Sequence, residues 1–90
     1  MTDDKITRLK TQLDEHHEWP SVYLFKFIFL NETTKVDKIL GIFSETADVE
    51  RKFSKGGKYV SFTIKELMVS AQSVLDRYEE VGRVGDVMAL

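Results

Sequence analysis

The sequence predicts an α+β sandwich: a four-stranded antiparallel sheet with two helices on one face, preceded by an additional N-terminal helix. Three observations predict it. Segments of helical period alternate with segments of period two in the order helix, then β-α-β-β-α-β. The chain has 90 residues, 42% of them hydrophobic, which suffices for one core and no more. No internal repeat, low-complexity stretch or linker divides it. Residues 1–90 therefore read as a single domain, with 3–15 as a helical extension.

Each element has a local reason. Ile6, Leu9 and Leu13 form a narrow apolar stripe on an otherwise charged segment, the pattern of a short amphipathic helix for which Asp3 is the expected N-cap. Trp19-Pro20 stops helical propagation, because proline lacks an amide hydrogen and disfavours a helical residue before it. From Ser21 to Leu30 the chain is rich in aromatic and branched residues, with Tyr23, Phe25, Phe27 and Phe29 on one face of a strand and Val22, Leu24, Lys26, Ile28 and Leu30 on the other. The aromatic face belongs in the core, since the reverse facing would bury the Lys26 ammonium without a partner.

Thr33 or Thr34 is the expected cap of the next helix, whose inward positions are Val36, Ile39, Leu40 and Phe43. Gly41 inside that helix costs about 1 kcal/mol relative to alanine, which points to close packing on the sheet. Ala47 to Ser54 alternates as an edge strand, and Lys55-Gly56-Gly57-Lys58 turns the chain, because paired glycines reach positive φ without strain. On the returning strand, Tyr59 to Glu66, Val60, Phe62 and Ile64 face inward while Tyr59, Ser61, Thr63 and Lys65 face outward. Ser70 caps a helix carrying Val74, Leu75, Tyr78 and Val81 on its inner stripe, Gly82 is expected to end it in a left-handed conformation, and Val84 to Leu90 forms the last strand. This order is the split-βαβ, or ferredoxin-like, arrangement. In its usual strand order the first and third strands are neighbours, which brings Lys26 near Tyr59, Ser61 and Thr63.

Composition removes several chemistries. Without cysteine there is no disulfide framework, thiolate nucleophile or thiolate metal site. With 13 basic against 15 acidic residues, the net charge of -2 supplies no global field for nucleic acid or anionic lipid. The start Met1-Thr2-Asp3-Asp4-Lys5 lacks the basic-then-apolar pattern of an export signal, and the apolar run from Val22 to Leu30 is interrupted by Lys26 and far shorter than the ~20 residues of a membrane helix. A cytoplasmic protein without membrane contact is expected.

The candidate sites are few. His16-His17 diverge by about 100° at a helix end and cannot both reach one ion, so no metal is expected. The two histidines lie far in sequence from Ser54, Ser61 and Ser70, so no seryl nucleophile with its base is legible, and no catalytic residues are assigned. Lys55 to Phe62 partly matches an RNA-recognition strand, with Gly57 where the first stacking aromatic belongs and Tyr59 as the one platform. The glycine turn could alternatively hold a phosphate or carboxylate on backbone amides, helped by Lys55 or Lys58. Lys26, mid-strand among Val22, Leu24 and Ile28, calls for an anion or for water at its ammonium.

The pieces Leu9-x3-Leu13, Trp19-Pro20, Phe25-Lys26-Phe27, Ser54-Lys55-Gly56-Gly57-Lys58-Tyr59-Val60-Ser61, Tyr78-Glu79-Glu80-Val81-Gly82 and the terminal Val87-x2-Leu90 together resemble the bacterial YbeD-like family of small domains of unknown function. The hairpin element Ser-Lys-Gly-x-x-Tyr-x-Ser is the most specific part, and the similarity runs nearly end to end. The resemblance implies a ferredoxin-like fold similar to the regulatory ACT domains of amino-acid-metabolism enzymes, and no established activity. The chain departs from the family pattern at Phe29-Leu30, which stand where a glycine follows the first strand.

The expected function is that of a non-catalytic, cofactor-free regulatory or binding module. Its candidate surface comprises Lys26, Ser54, Lys55, Gly56, Gly57, Lys58, Tyr59 and Ser61, recognising a partner protein, a second copy or a small anionic metabolite. The alternative is an RNA-binding module using Arg51, Lys52, Lys55, Lys58 and Tyr59. Two fates are open for the outer sheet face: the N-terminal helix covers part of it, or the face and helix form a homodimer contact.

Overall fold

The computed structural model describes residues 3–90. Its elements are α1 (Asp3–His16), β1 (Ser21–Leu30), α2 (Thr33–Ile42), β2 (Asp48–Phe53), β3 (Tyr59–Met68), α3 (Ala71–Val84) and β4 (Val87–Ala89). The strands form one antiparallel sheet in the order β2-β3-β1-β4, so the architecture is α+β with a four-stranded sheet and three helices. The long β1 and β3 pair along their whole length, Ser21 opposite Met68 through Leu30 opposite Tyr59.

Period-two patterning decides the facing. Phe25, Phe27 and Phe29 of β1 and Val60, Phe62 and Ile64 of β3 are buried against Val36, Ile39 and Phe43 from α2 and its C-cap and against Val74 and Val81 from α3. Aromatic edges contact aromatic faces, as in Phe29 against Phe62 at 4.9 Å and 77° and Phe25 against Phe43 at 5.1 Å and 64°. Lys26 lies on the opposite, exposed face, as desolvation requires.

Four local expectations are corrected. Glu32, not Thr33 or Thr34, occupies the N-cap of α2 and makes no side-chain capping bond; the two threonines lie inside the helix. Gly41 is exposed, and a methyl group built on it would meet nothing within 4 Å, so close packing is not its reason. Gly82 is a helical residue; α3 runs on to Val84 and ends at Gly85, with φ 86°. The last strand is correspondingly short, Val87–Ala89 in place of Val84 to Leu90, because Gly85 and Asp86, both at positive φ, make the corner. Ser70 caps α3 as expected, accepting from the Ser73 amide, while the Ser73 hydroxyl accepts from the amide of Ser70 in a reciprocal box. Met1, Thr2 and the side chain of Asp3 lie outside the described residues, and the capping role expected of Asp3 lies there with them.

One tertiary link was invisible in the pattern. Glu66 sits on the inward face of β3, buried, and its carboxylate accepts from Arg77 Nε at 3.1 Å and from the Ser44 amide at 2.7 Å. Arg77 Nη2 lies 3.1 Å from the same carboxylate, and Arg77 Nη1 donates to the Ile42 carbonyl. The pair thereby fastens α3 to β3 and to the end of α2.

Candidate functional site

Among the described residues no helix covers the outer sheet face. Helix α1 packs beside α3, on the helical side of the sheet, so it does not cover this face. Register sets out the face in rows across the strands. Val22 faces Leu67 at one end. Next comes the row Leu24, Lys65, Asp48, then Lys26, Thr63, Glu50, then Met88, Ile28, Ser61, Lys52, and last Leu30 with Tyr59. Val22, Leu24, Leu67 and Met88 are each more than half exposed. The two ion pairs among the described residues are Glu66 with Arg77 and Glu79 with Arg83, so none of Lys26, Lys52, Lys65, Asp48 and Glu50 makes a close ion pair among the described residues.

The residues expected to form a site are spread along this face and the hairpin. Lys26 is opposite Thr63 and one row from Ser61; Tyr59 is a further row away, about 13 Å from Lys26 along the strand. Gly56 and Gly57 have φ of 84° and 75°, and the Gly57 amide donates to the Ser54 carbonyl at 2.8 Å, closing the turn. The Ser54 hydroxyl accepts from the Tyr59 amide at 2.9 Å, which commits it to holding the hairpin shut. Asn31, in the loop after β1, braces the turn from outside: its amide donates to the Lys58 carbonyl and its side chain to the Gly57 carbonyl at 3.1 Å. Lys58 lies 5.5 Å over the Tyr59 ring, on one of its two faces. Arg51 turns to the helical side, 5.3 Å over the Phe62 ring, whereas Lys52 shares the outer face with Ser61, so the basic cluster is divided between two faces.

On the helical side, sequence reasoning missed a cleft of about 1090 Å³ between α1 and α3. Leu9 and Leu13 form one wall, Leu75 the other, and Tyr23 and Tyr78 meet at the floor with hydroxyls 3.1 Å apart. Burial first, then the bond to Tyr23 and its charge, raises the Tyr78 pKa above the ordinary phenol value. His17 reaches the cleft with its Nδ1 3.2 Å from the Ser21 hydroxyl, a pairing the sequence reading did not consider. Asp14, the nearby carboxylate, accepts from Trp19 Nε1 at 2.8 Å, so among the described residues no third group orients that imidazole. Among the described residues no cluster of three His, Asp or Glu side chains could hold a metal ion, and no helix is long and apolar enough to cross a membrane. Tyr23 and Tyr78 were each legible as apolar-stripe residues; their meeting across 55 positions was not.

A family model described as "Protein of unknown function (DUF493)" matches residues 14–90, and the chain belongs to that family. This is the YbeD-like family that the hairpin and strand motifs resemble. Neither the curated proteins nor the solved structures yield a match.

Proposed function

We propose that this DUF493 family member is a non-catalytic binding module, ferredoxin-like and ACT-like in architecture, whose outer sheet face docks a second copy of the same chain. The strand order, with β1 and β3 central and α2 and α3 on one side, supports the architecture. The observation that carries the docking is the outer face itself: apolar side chains more than half exposed, interleaved with charges of both signs that make no close ion pair among the described residues. A two-fold interface must be complementary to itself. Lys26 and Glu50 flank Thr63 in one row, so a two-fold axis along β3 sets each Lys26 against the other copy's Glu50.

Size sets the affinity. Strands of ten, ten, six and three residues, each about 3.3 Å per residue long and about 4.8 Å wide, give roughly 450 Å² per copy. About 900 Å² in total is below the usual range for stable complexes and fits weak, concentration-dependent association. A small anionic metabolite finds lysines on this face, whereas the cleft between α1 and α3 and the smaller one lined by Val36, Arg51 and Phe62 involve the helical side.

Size-exclusion chromatography with light scattering tests the reading. Dimer mass is expected at about 100 μM and monomer on dilution. Lys26→Glu and Glu50→Lys should each abolish the dimer, and the double exchange should restore it. A wild-type monomer at every concentration, or a dimer indifferent to both exchanges, refutes the docking.

A further inference from the structure

We propose that the cleft between α1 and α3 binds a small, uncharged, largely apolar molecule that presents a carbonyl oxygen to the Tyr23–Tyr78 hydroxyl pair. The cleft lies on the other side of the sheet from the docking face, and the two readings stand or fall separately.

Shape is the first argument. At about 1090 Å³ the cleft matches the upper end of small-molecule sites, which run to roughly 1,000 Å³. No described side chain of α1 is fully buried: Leu13 reaches the core and Leu9 is half-buried, but Ile6 is exposed, and all three line the cleft where a surface helix would normally be packed down. The family match begins at residue 14, so this wall is supplied almost entirely by residues outside the matched segment.

Hydrogen-bond accounting is the second. Two phenols carry two protons, and the bond between Tyr23 and Tyr78 uses one. Neither hydroxyl has another partner among the described residues, so the pair offers one O–H to an acceptor in the cleft. Desolvation keeps Tyr78 protonated and therefore a donor.

Charge is the third and selects among acceptors. No lysine or arginine lines the cleft; its one carboxylate side chain, Glu79, is already paired with Arg83 at 2.7 Å, and the imidazoles of His16 and His17 complete the polar lining with Gln12 and Gln72. A carboxylate ligand would give up its water with no lysine or arginine among the lining residues to pair it, whereas a ketone, ester or amide uses the same donor without desolvating a charge.

The experiment displaces the neutral dye Nile red from the full chain with three probes of similar shape: acetophenone, ethylbenzene and benzoate. The dye should bind, acetophenone and ethylbenzene should displace it, and benzoate should be weakest. In Tyr23→Phe or Tyr78→Phe the remaining hydroxyl is still free to donate, so the ratio of acetophenone to ethylbenzene affinity stays near wild type. In the double variant that ratio falls about fivefold, the worth of one neutral hydrogen bond, with ethylbenzene unchanged. Ile6→Trp, at a part-exposed site on the rim, should weaken all displacement by about tenfold. No dye binding, a preference for benzoate, or a ratio unmoved in the folded double variant overturns the proposal. So does loss of dimerisation in Ile6→Trp without dye binding in the wild type, which would seat a second copy in the cleft.

Discussion

Removing the buried carboxylate of Glu66 should be among the costliest single changes in this domain. Its side chain is 6% exposed, accepts hydrogen bonds from Arg77 Nε and from the Ser44 amide, and is ion-paired with Arg77 Nη2 at 3.1 Å. Glu66→Ala strands the Arg77 guanidinium, which at 26% side-chain exposure is only partly reachable by water, and leaves the Ser44 amide without its acceptor. Breaking a buried pair from one side costs about 3–5 kcal/mol; solvent access to Arg77 lowers the expectation to about 2–4 kcal/mol. Glu66→Gln keeps an acceptor of the same shape and should cost about 1–2 kcal/mol, the charge-assisted part alone. Glu66→Leu with Arg77→Met removes both charges together and should cost much less than the two single changes added. Urea denaturation at neutral pH measures all of these, with an unchanged m-value showing that stability alone has moved. A loss below about 0.5 kcal/mol in Glu66→Ala, or strict additivity in the double variant, would refute the clamp.

Two further outcomes follow from the backbone and from titration. Gly41→Ala and Gly82→Ala, each helical and open to solvent, should stabilise the fold by about 0.5–1 kcal/mol. Gly85→Ala, at φ 86°, should destabilise it by about 1 kcal/mol or more in the same urea series. Because the Tyr78 pKa is raised on folding, by burial first and then by the Tyr23 bond, the folded chain retains a proton that the unfolded chain releases near pH 10. The contribution of Tyr78 is therefore fully present below about pH 10 and declines as pH rises beyond it. Thermal melts from pH 8 to 11 should show a shallower decline in Tyr78→Phe than in wild type.

Legibility divided along physical lines. The facing of β1 and β3 was readable because burying the Lys26 ammonium is prohibitive and strand geometry alternates sides, so one charged residue decided ten positions. The hairpin was readable because Gly56 and Gly57 name the conformation they adopt. Helix ends were less so. Glycine at 41, 82 and 85 looks alike in sequence, and only the tertiary path of α3 to the edge of the sheet shows that Gly85, not Gly82, makes the corner. The basic cluster failed for a related reason: Arg51 and Lys52 are adjacent in sequence and on opposite faces in the sheet.

The amino-acid order by itself determined the class of fold, the inward phenylalanines and the glycine turn, because each depends on interactions within a few residues or on a strict period. Only the assembled structure decided that α1 lies beside α3 and does not cover the outer sheet face, that Tyr23 meets Tyr78, and that Glu66 meets Arg77. Those are choices of distance and partner between segments remote along the chain, and they rest on shape and on the pairing of buried polar groups, neither of which a local pattern encodes.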